Sequence, residues 1–181
     1  VFGGRASQAV QTEIDRYHRR TEHGYVLEVH TSAPGSSQEI RQHDSDNDGL
    51  WTSMYGAGEC FAYAATKDPE AKRRAQLAWQ ALRFLGTVTQ GGTPPARPGF
   101  VARTVLPVAA GDPNAAHYTP EQDKRKQQHD RYWKILDPRW PLSQDGKWYW
   151  KADTSSDELD GHFFFYALYH DLVAETEVEK E

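Results

Sequence analysis

Apolar residues fall at helical spacing in four parts of the chain. Over residues 6–20, Ala6, Ala9 or Val10, Ile14 and Tyr17 share one side, which predicts an amphipathic helix closed by His23 and Gly24. Residues 49–66 predict a second helix, broken at Lys67, Asp68 and Pro69. Asp68 suits an N-cap and Pro69 a first helical turn, so a third helix follows to Thr87, with Ala71, Ala75, Ala78, Leu82 and Leu85 on one side. The short break makes these two helices an antiparallel hairpin. A last helix is predicted over 155–174, and the acidic residues 175–181 read as a solvated tail.

The remaining pattern is not helical. Residues 25–30 alternate and carry β-branched side chains, which predicts a short strand. Residues 33–37 read as a turn, and Gly and Pro deny regular structure to 90–99. An extended piece follows over 100–106, then a polar stretch, 109–128, predicted as an exposed loop with one short helix after Pro120. Trp133, Trp140, Trp148 and Trp150 crowd the next segment, where Gln144 to Lys147 suit a hairpin turn between short strands. The expected fold is mainly α: helical hairpins around a loop-rich, Trp-rich middle with a few short strands.

Composition narrows the function classes. At 181 residues the chain can build one domain with a core, although only 38% of it is hydrophobic. Six Trp, nine Tyr and seven Phe supply much of the apolar mass, either as core or as the lining of a groove. A net charge of -5 without a basic block disfavours nucleic acid as a partner. No apolar run reaches the roughly 18 residues that a membrane span needs. Cys60 is the single cysteine, so an intrachain disulfide and a cysteine-based zinc cluster are excluded, and its mid-helix position reads as core packing. The chain opens at Val1 without Met or a signal-peptide pattern, which reads as a piece of a larger protein.

The candidate chemistry sits at two acidic helix entrances. At the first, Asp44, Asp46 and Asp48 alternate with Ser45 and Asn47 before Gly49, with Trp51 and Tyr55 behind. That spacing matches the first half of a calcium loop, but the twelfth position, which should hold a bidentate carboxylate, is Tyr55. Helix capping by Asp46 or Asp48 is the plainer alternative. At the second entrance Asp153, Asp157, Glu158 and Asp160 precede Gly161 and His162. Glu158 and His162 are four residues apart and share a helix face, as an acid–base pair would, while Gly161 admits close approach. Arg103, after Pro98, Gly99 and Phe100, suits an anionic ligand, although surface arginines are commonly unengaged. Phosphate-loop, serine-hydrolase elbow and zinc-protease signatures do not occur.

The run from Asp46 through Trp51 and Thr52, the helix through Phe61 to Lys72, and the segment Gly99 to Arg103 together resemble (α/α)-toroid glycan-processing proteins, such as unsaturated glucuronyl hydrolases. Residues 154–163 with the helix behind them resemble a later inner helix of such a toroid. The resemblance covers about 44–105 and 150–174, and a full toroid needs roughly twice this length. It implies a partial barrel of helical hairpins whose inner-helix N-termini line a funnel for an acidic, uronate-containing oligosaccharide, in a periplasmic or secreted setting. Carried over, it places Asp46, Asp48, Asp157, Glu158 and His162 in catalysis, with Arg103, Trp51 and Tyr55 on the substrate. Paired carboxylates would hydrolyse a glycosidic bond. A lyase in which His162 or a tyrosine removes the proton beside a carboxylate neutralised by Arg103, a non-catalytic glycan-binding or calcium-binding module, and a structural domain whose acids only cap helices remain the alternatives. No cofactor is implied beyond calcium at Asp44, Asp46 and Asp48.

Overall fold

A computed structural model describes residues 5–36, 40–42, 46–117 and 119–180. It is mainly helical with two small antiparallel sheets. The centre is a three-helix unit of α2 (Asp48–Thr66), α3 (Pro69–Thr87) and α6 (Ser156–Leu172). α2 and α3 form the expected hairpin. Lys67 turns the chain with φ 56°, Asp68 accepts the Glu70 N–H at 3.0 Å, and Pro69 sits in the first turn. Ala71, Ala75, Ala78, Ala81, Leu82 and Leu85 are buried along one face of α3, the stripe that the spacing predicts. Cys60 is buried in the same core.

Glycines set how closely α6 lies on α2. A Cβ on Gly56 would meet the Phe165 ring at 2.5 Å, and one on Gly161 would collide with the Ser53 hydroxyl. Gly49 faces Glu158 and His162 in the same way. The two helices therefore approach along Gly49, Ser53 and Gly56 on one side and Gly161, His162 and Phe165 on the other.

Several sequence expectations are corrected at the edges of this unit. The first helix, α1 (Arg5–Glu13), does not run to residue 20. The chain widens into a π turn over Ile14–His18 and then straightens into β1 (Arg19–Arg20), which pairs with β2 (Tyr25–Val26). Arg20 reaches a buried carboxylate, Asp48, and that ion pair overrides helical periodicity. Gly24, with φ 70°, closes the β1–β2 turn and does not cap a helix. The strand expected over 25–30 is shorter: β2 ends at Val26, the Leu27 N–H still reaches the His18 carbonyl at 3.0 Å, and beyond it His30 makes an isolated bridge to Arg41.

The middle is more ordered than its polarity suggests. β3 (Val105–Pro107) pairs with β4 (Trp148–Trp150), and the chain reverses before β4 with Ser143 N–H on the Trp148 carbonyl at 2.8 Å. The stretch expected as an exposed loop holds α4 (Pro113–His117) and α5 (Pro120–His129). α5 begins in a capping box between Thr119 and Gln122. Its Asp123 is fully buried against Arg139, the Trp133 indole N–H and the Leu136 N–H. The tail is not merely solvated either. Glu175 meets Lys72 at 2.7 Å, and α7 (Glu177–Lys180) brings Glu179 to Gln76 of α3 at 3.1 Å. No described helix is long and apolar enough to cross a membrane.

Candidate functional site

The two acidic entrances face each other. α2 has no capping side chain of its own at Asn47, and the Leu50 N–H instead donates to Glu158 Oε2 at 3.0 Å. A carboxyl from α6 thus caps the N-terminus of α2, where the helix dipole favours negative charge. A Cβ on Gly49 would stand 2.5 Å from both Glu158 Oε2 and His162 Nε2. The bare Gly49 backbone is what allows both groups to lie against this turn.

Glu158 and His162 are buried, and Glu158 Oε1 and His162 Nε2 have no hydrogen-bond partner among the described residues. Burial pushes the Glu158 carboxyl up to about 8, with Asp48 and Asp157 adding repulsion and the Leu50 N–H and Arg103 opposing it. Burial also lowers His162 to about 4, so the imidazole is neutral across the physiological range. Its Nδ1 lies 3.0 Å from the Tyr166 hydroxyl, itself pushed up to about 12 by burial.

Asp48 is fully buried and turned inward. Arg20 pairs with its carboxylate, the Thr104 hydroxyl donates to Oδ2 at 2.7 Å, and the Val105 N–H donates to the same oxygen at 3.3 Å. Burial raises its pKa against the pull of those three donors. Asp46 lies nearer the surface with its carboxylate on Lys151. Lys151 and Arg139 both flank Asp153, and Arg139 continues to Asp123, so a line of alternating charges runs beneath the entrances. Arg103 lies between the entrances, donating to the Asp46 carbonyl at 2.9 Å and to the Asp153 carbonyl at 3.4 Å. Asp157 is exposed, and the Ser155 hydroxyl and Arg103 hold its carboxyl below the usual range.

Asp46, Asp48, Arg103, Asp157, Glu158 and His162 are therefore brought together. Tyr55 does not join them: its hydroxyl sits between Arg19 and Gln11, and Arg19 lies 4.6 Å over its ring. Trp51 is 37% exposed on the side of α2 turned away from α6. Asp44, the first acid of the calcium-like spacing, lies outside the described residues. The carboxylates of Asp46 and Asp48 each already face a cation, and neither caps α2. Sequence reasoning missed Arg20, Thr104, Lys151 and Tyr166. Tyr166 was within reach, because it continues the four-residue spacing from Glu158 through His162. Arg20 and Lys151 carry no local signal, since their partners lie 28 and 105 residues away.

No protein-family model, curated protein or solved structure matches the chain.

Proposed function

We propose that this chain belongs to a carbohydrate-active protein of the (α/α)-toroid kind, hydrolysing uronate-containing oligosaccharide by paired-carboxylate chemistry. The observation that carries this reading is a contrast between neighbours. Asp157 is held ionised at the surface, while Glu158 keeps its proton up to about 8. Two carboxyls with pKa values driven apart supply the acid and the base of glycoside hydrolysis. Glu158 protonates the leaving oxygen, Asp157 activates water or attacks the sugar, and Arg103 takes the uronate carboxylate as a planar fork. Glu158 is buried, so the reading requires the seam between α2 and α6 to admit the glycosidic oxygen at Gly49.

The toroid part rests on what the helices leave uncovered. Trp51, Met54 and Phe61 on α2 and Phe163 and Phe164 on α6 are 37–68% exposed. The solvent stripe of α2 carries no charged residue: its two acids, Asp48 and Glu59, are both buried and ion-paired. Further helical hairpins packed beside this one would cover such faces.

A lyase is the second reading, favoured by the neutral His162 with Tyr166 on its other nitrogen, a pairing suited to removing a proton beside a carboxylate. Incubation with uronate-containing oligosaccharides separates the two, because hydrolysis adds water and elimination leaves an ultraviolet-absorbing double bond. For hydrolysis, Glu158→Gln is expected to lower turnover by about 10² or more, and Arg103→Gln to raise KM for acidic over neutral substrates. Wild-type rates in Glu158→Gln would overturn the assignment.

A further inference from the structure

Arg103 holds the uronate carboxylate in the proposed reaction, and little holds Arg103 itself. Its side chain makes two hydrogen bonds among the described residues, from Nε to the Asp46 carbonyl at 2.9 Å and from Nη1 to the Asp153 carbonyl at 3.4 Å. Nη2 makes none among them, which leaves that end of the guanidinium for a ligand. Neither carbonyl belongs to regular structure. Asp46 lies in the bend before α2 with φ 66°, a left-handed conformation that is uncommon outside glycine and needs its surroundings to hold it. Asp153 lies in the link between β4 and α6.

The same two residues send their carboxylates to Lys151. Its buried ammonium bonds Asp46 and stands 3.9 Å from Asp153. Main-chain bonds tie it to Arg103 as well: the Arg103 N–H donates to the Lys151 carbonyl, and the Lys151 N–H to the Thr104 carbonyl, each at 3.0 Å. Arg139 also grips Asp153, whereas the Asp46 carboxylate has no second partner among the described residues. The Asp46 turn is therefore the part that depends most on Lys151.

We infer that Lys151 is a positioning residue, which keeps Arg103 aimed at an anionic sugar by fixing the two carbonyls on which the guanidinium rests. This role rests on Arg103 being the carboxylate site of the proposed hydrolysis. A free arginine side chain loses rotamer freedom when it clamps a carboxylate, and one already seated on fixed acceptors has less to lose. Each carbonyl is only as fixed as its loop. One ammonium binds both loops to the end of β4, opposite Arg103 across the β3–β4 pair. A lysine that merely neutralised two carboxylates would leave Arg103 unmoved.

The test combines NMR of the Arg103 Nε–H, assigned with Arg103→Gln, and steady-state cleavage of uronate-containing oligosaccharides. Lys151→Met keeps the apolar stem and removes the ammonium. In the folded variant the Arg103 Nε–H is expected to lose its slowed exchange with water. KM for acidic oligosaccharide should rise about tenfold, the weight of one hydrogen bond to a charged group, with kcat nearly unchanged. Asp46→Asn separates position from charge. Asn tolerates the left-handed turn, yet a negative charge beside Arg103 is gone, so charge alone lowers KM for an anionic substrate while a loosened guanidinium raises it. The Asp46 side chain is 33% exposed, so this variant decides the question if Lys151→Met does not fold. An Arg103 Nε–H unchanged in the folded variants, or a KM that falls in Asp46→Asn, overturns the inference. A wild-type chain that cleaves no uronate oligosaccharide overturns the glycan reading instead, and the Nε–H exchange then decides the role of Lys151 by itself.

Discussion

Gly49 gives the sharpest test of the geometry, because its neighbour Gly58 on the same helix provides the opposite sign. Gly49→Ala places a methyl group 2.5 Å from Glu158 Oε2 and His162 Nε2, about 1 Å inside ordinary contact. The helix gains at most roughly 1 kcal/mol from replacing Gly. Overpacking costs about 1–3 kcal/mol, and pushing Glu158 off the Leu50 N–H forfeits about 1 kcal/mol more. The net expectation is a loss of about 1–3 kcal/mol, or a melting temperature roughly 3–10 °C lower. Gly58→Ala meets nothing within 4 Å and should gain up to about 1 kcal/mol. Chemical denaturation of both variants, with the midpoint and slope fitted separately, measures the contrast. If Gly49→Ala is as stable as Gly58→Ala, the Glu158–His162 couple does not lie against this turn, and the candidate site collapses with it.

Two further outcomes follow from the buried charges. Glu158 holds its proton to about 8 when folded and loses it near 4.5 when unfolded, so between these values the folded state binds more protons and stability falls as pH rises. His162 titrates near 4 when folded and 6.5 when unfolded, so its term falls as pH drops through that window. The two oppose each other from 4.5 to 6.5, which predicts a plateau there and a decline of about 1.4 kcal/mol per pH unit from 6.5 to 8. Unfolding free energies across pH should show that decline in the wild type and not in Glu158→Gln; an unchanged slope would refute the buried-acid assignment. Asp123→Asn strips one of the two carboxylates from buried Arg139 and should cost about 3 kcal/mol, with a red shift of Trp133 fluorescence. A loss under about 0.5 kcal/mol, the range of an ordinary surface change, would show the charge line to be dispensable.

The helical frame was legible because its determinants are local. Asp68 and Pro69 mark a helix start wherever they occur, and the Ala and Leu spacing of α3 fixes its buried face without reference to any partner. That Glu158 and His162 share one helix face is equally local, although the hydrogen-bonded pair expected there does not form: Glu158 binds the Leu50 N–H and His162 meets the Tyr166 hydroxyl. Contacts between distant residues were not readable. Arg20 ends a helix-like pattern early because Asp48 needs a counter-ion, and Asp123 turns a polar stretch inward because Arg139 lies beneath it. The acids of the first entrance show the same limit. Asp48 was expected to face a ligand or cap its helix, and it became the core partner of an arginine.

The bonds of Arg20 also constrain how the chain folds. Its guanidinium joins Asp48, 28 residues on, to Thr104 and Val105, 84 and 85 residues on. The whole cluster closes only when three segments this far apart in the chain have been brought together, so its completion carries a large loop-closure cost. Completion of the Arg20 cluster is thus expected to be a late step, whenever the local β1–β2 turn itself forms. Destabilising changes around Arg20 should then appear chiefly as faster unfolding, leaving the folding rate almost untouched.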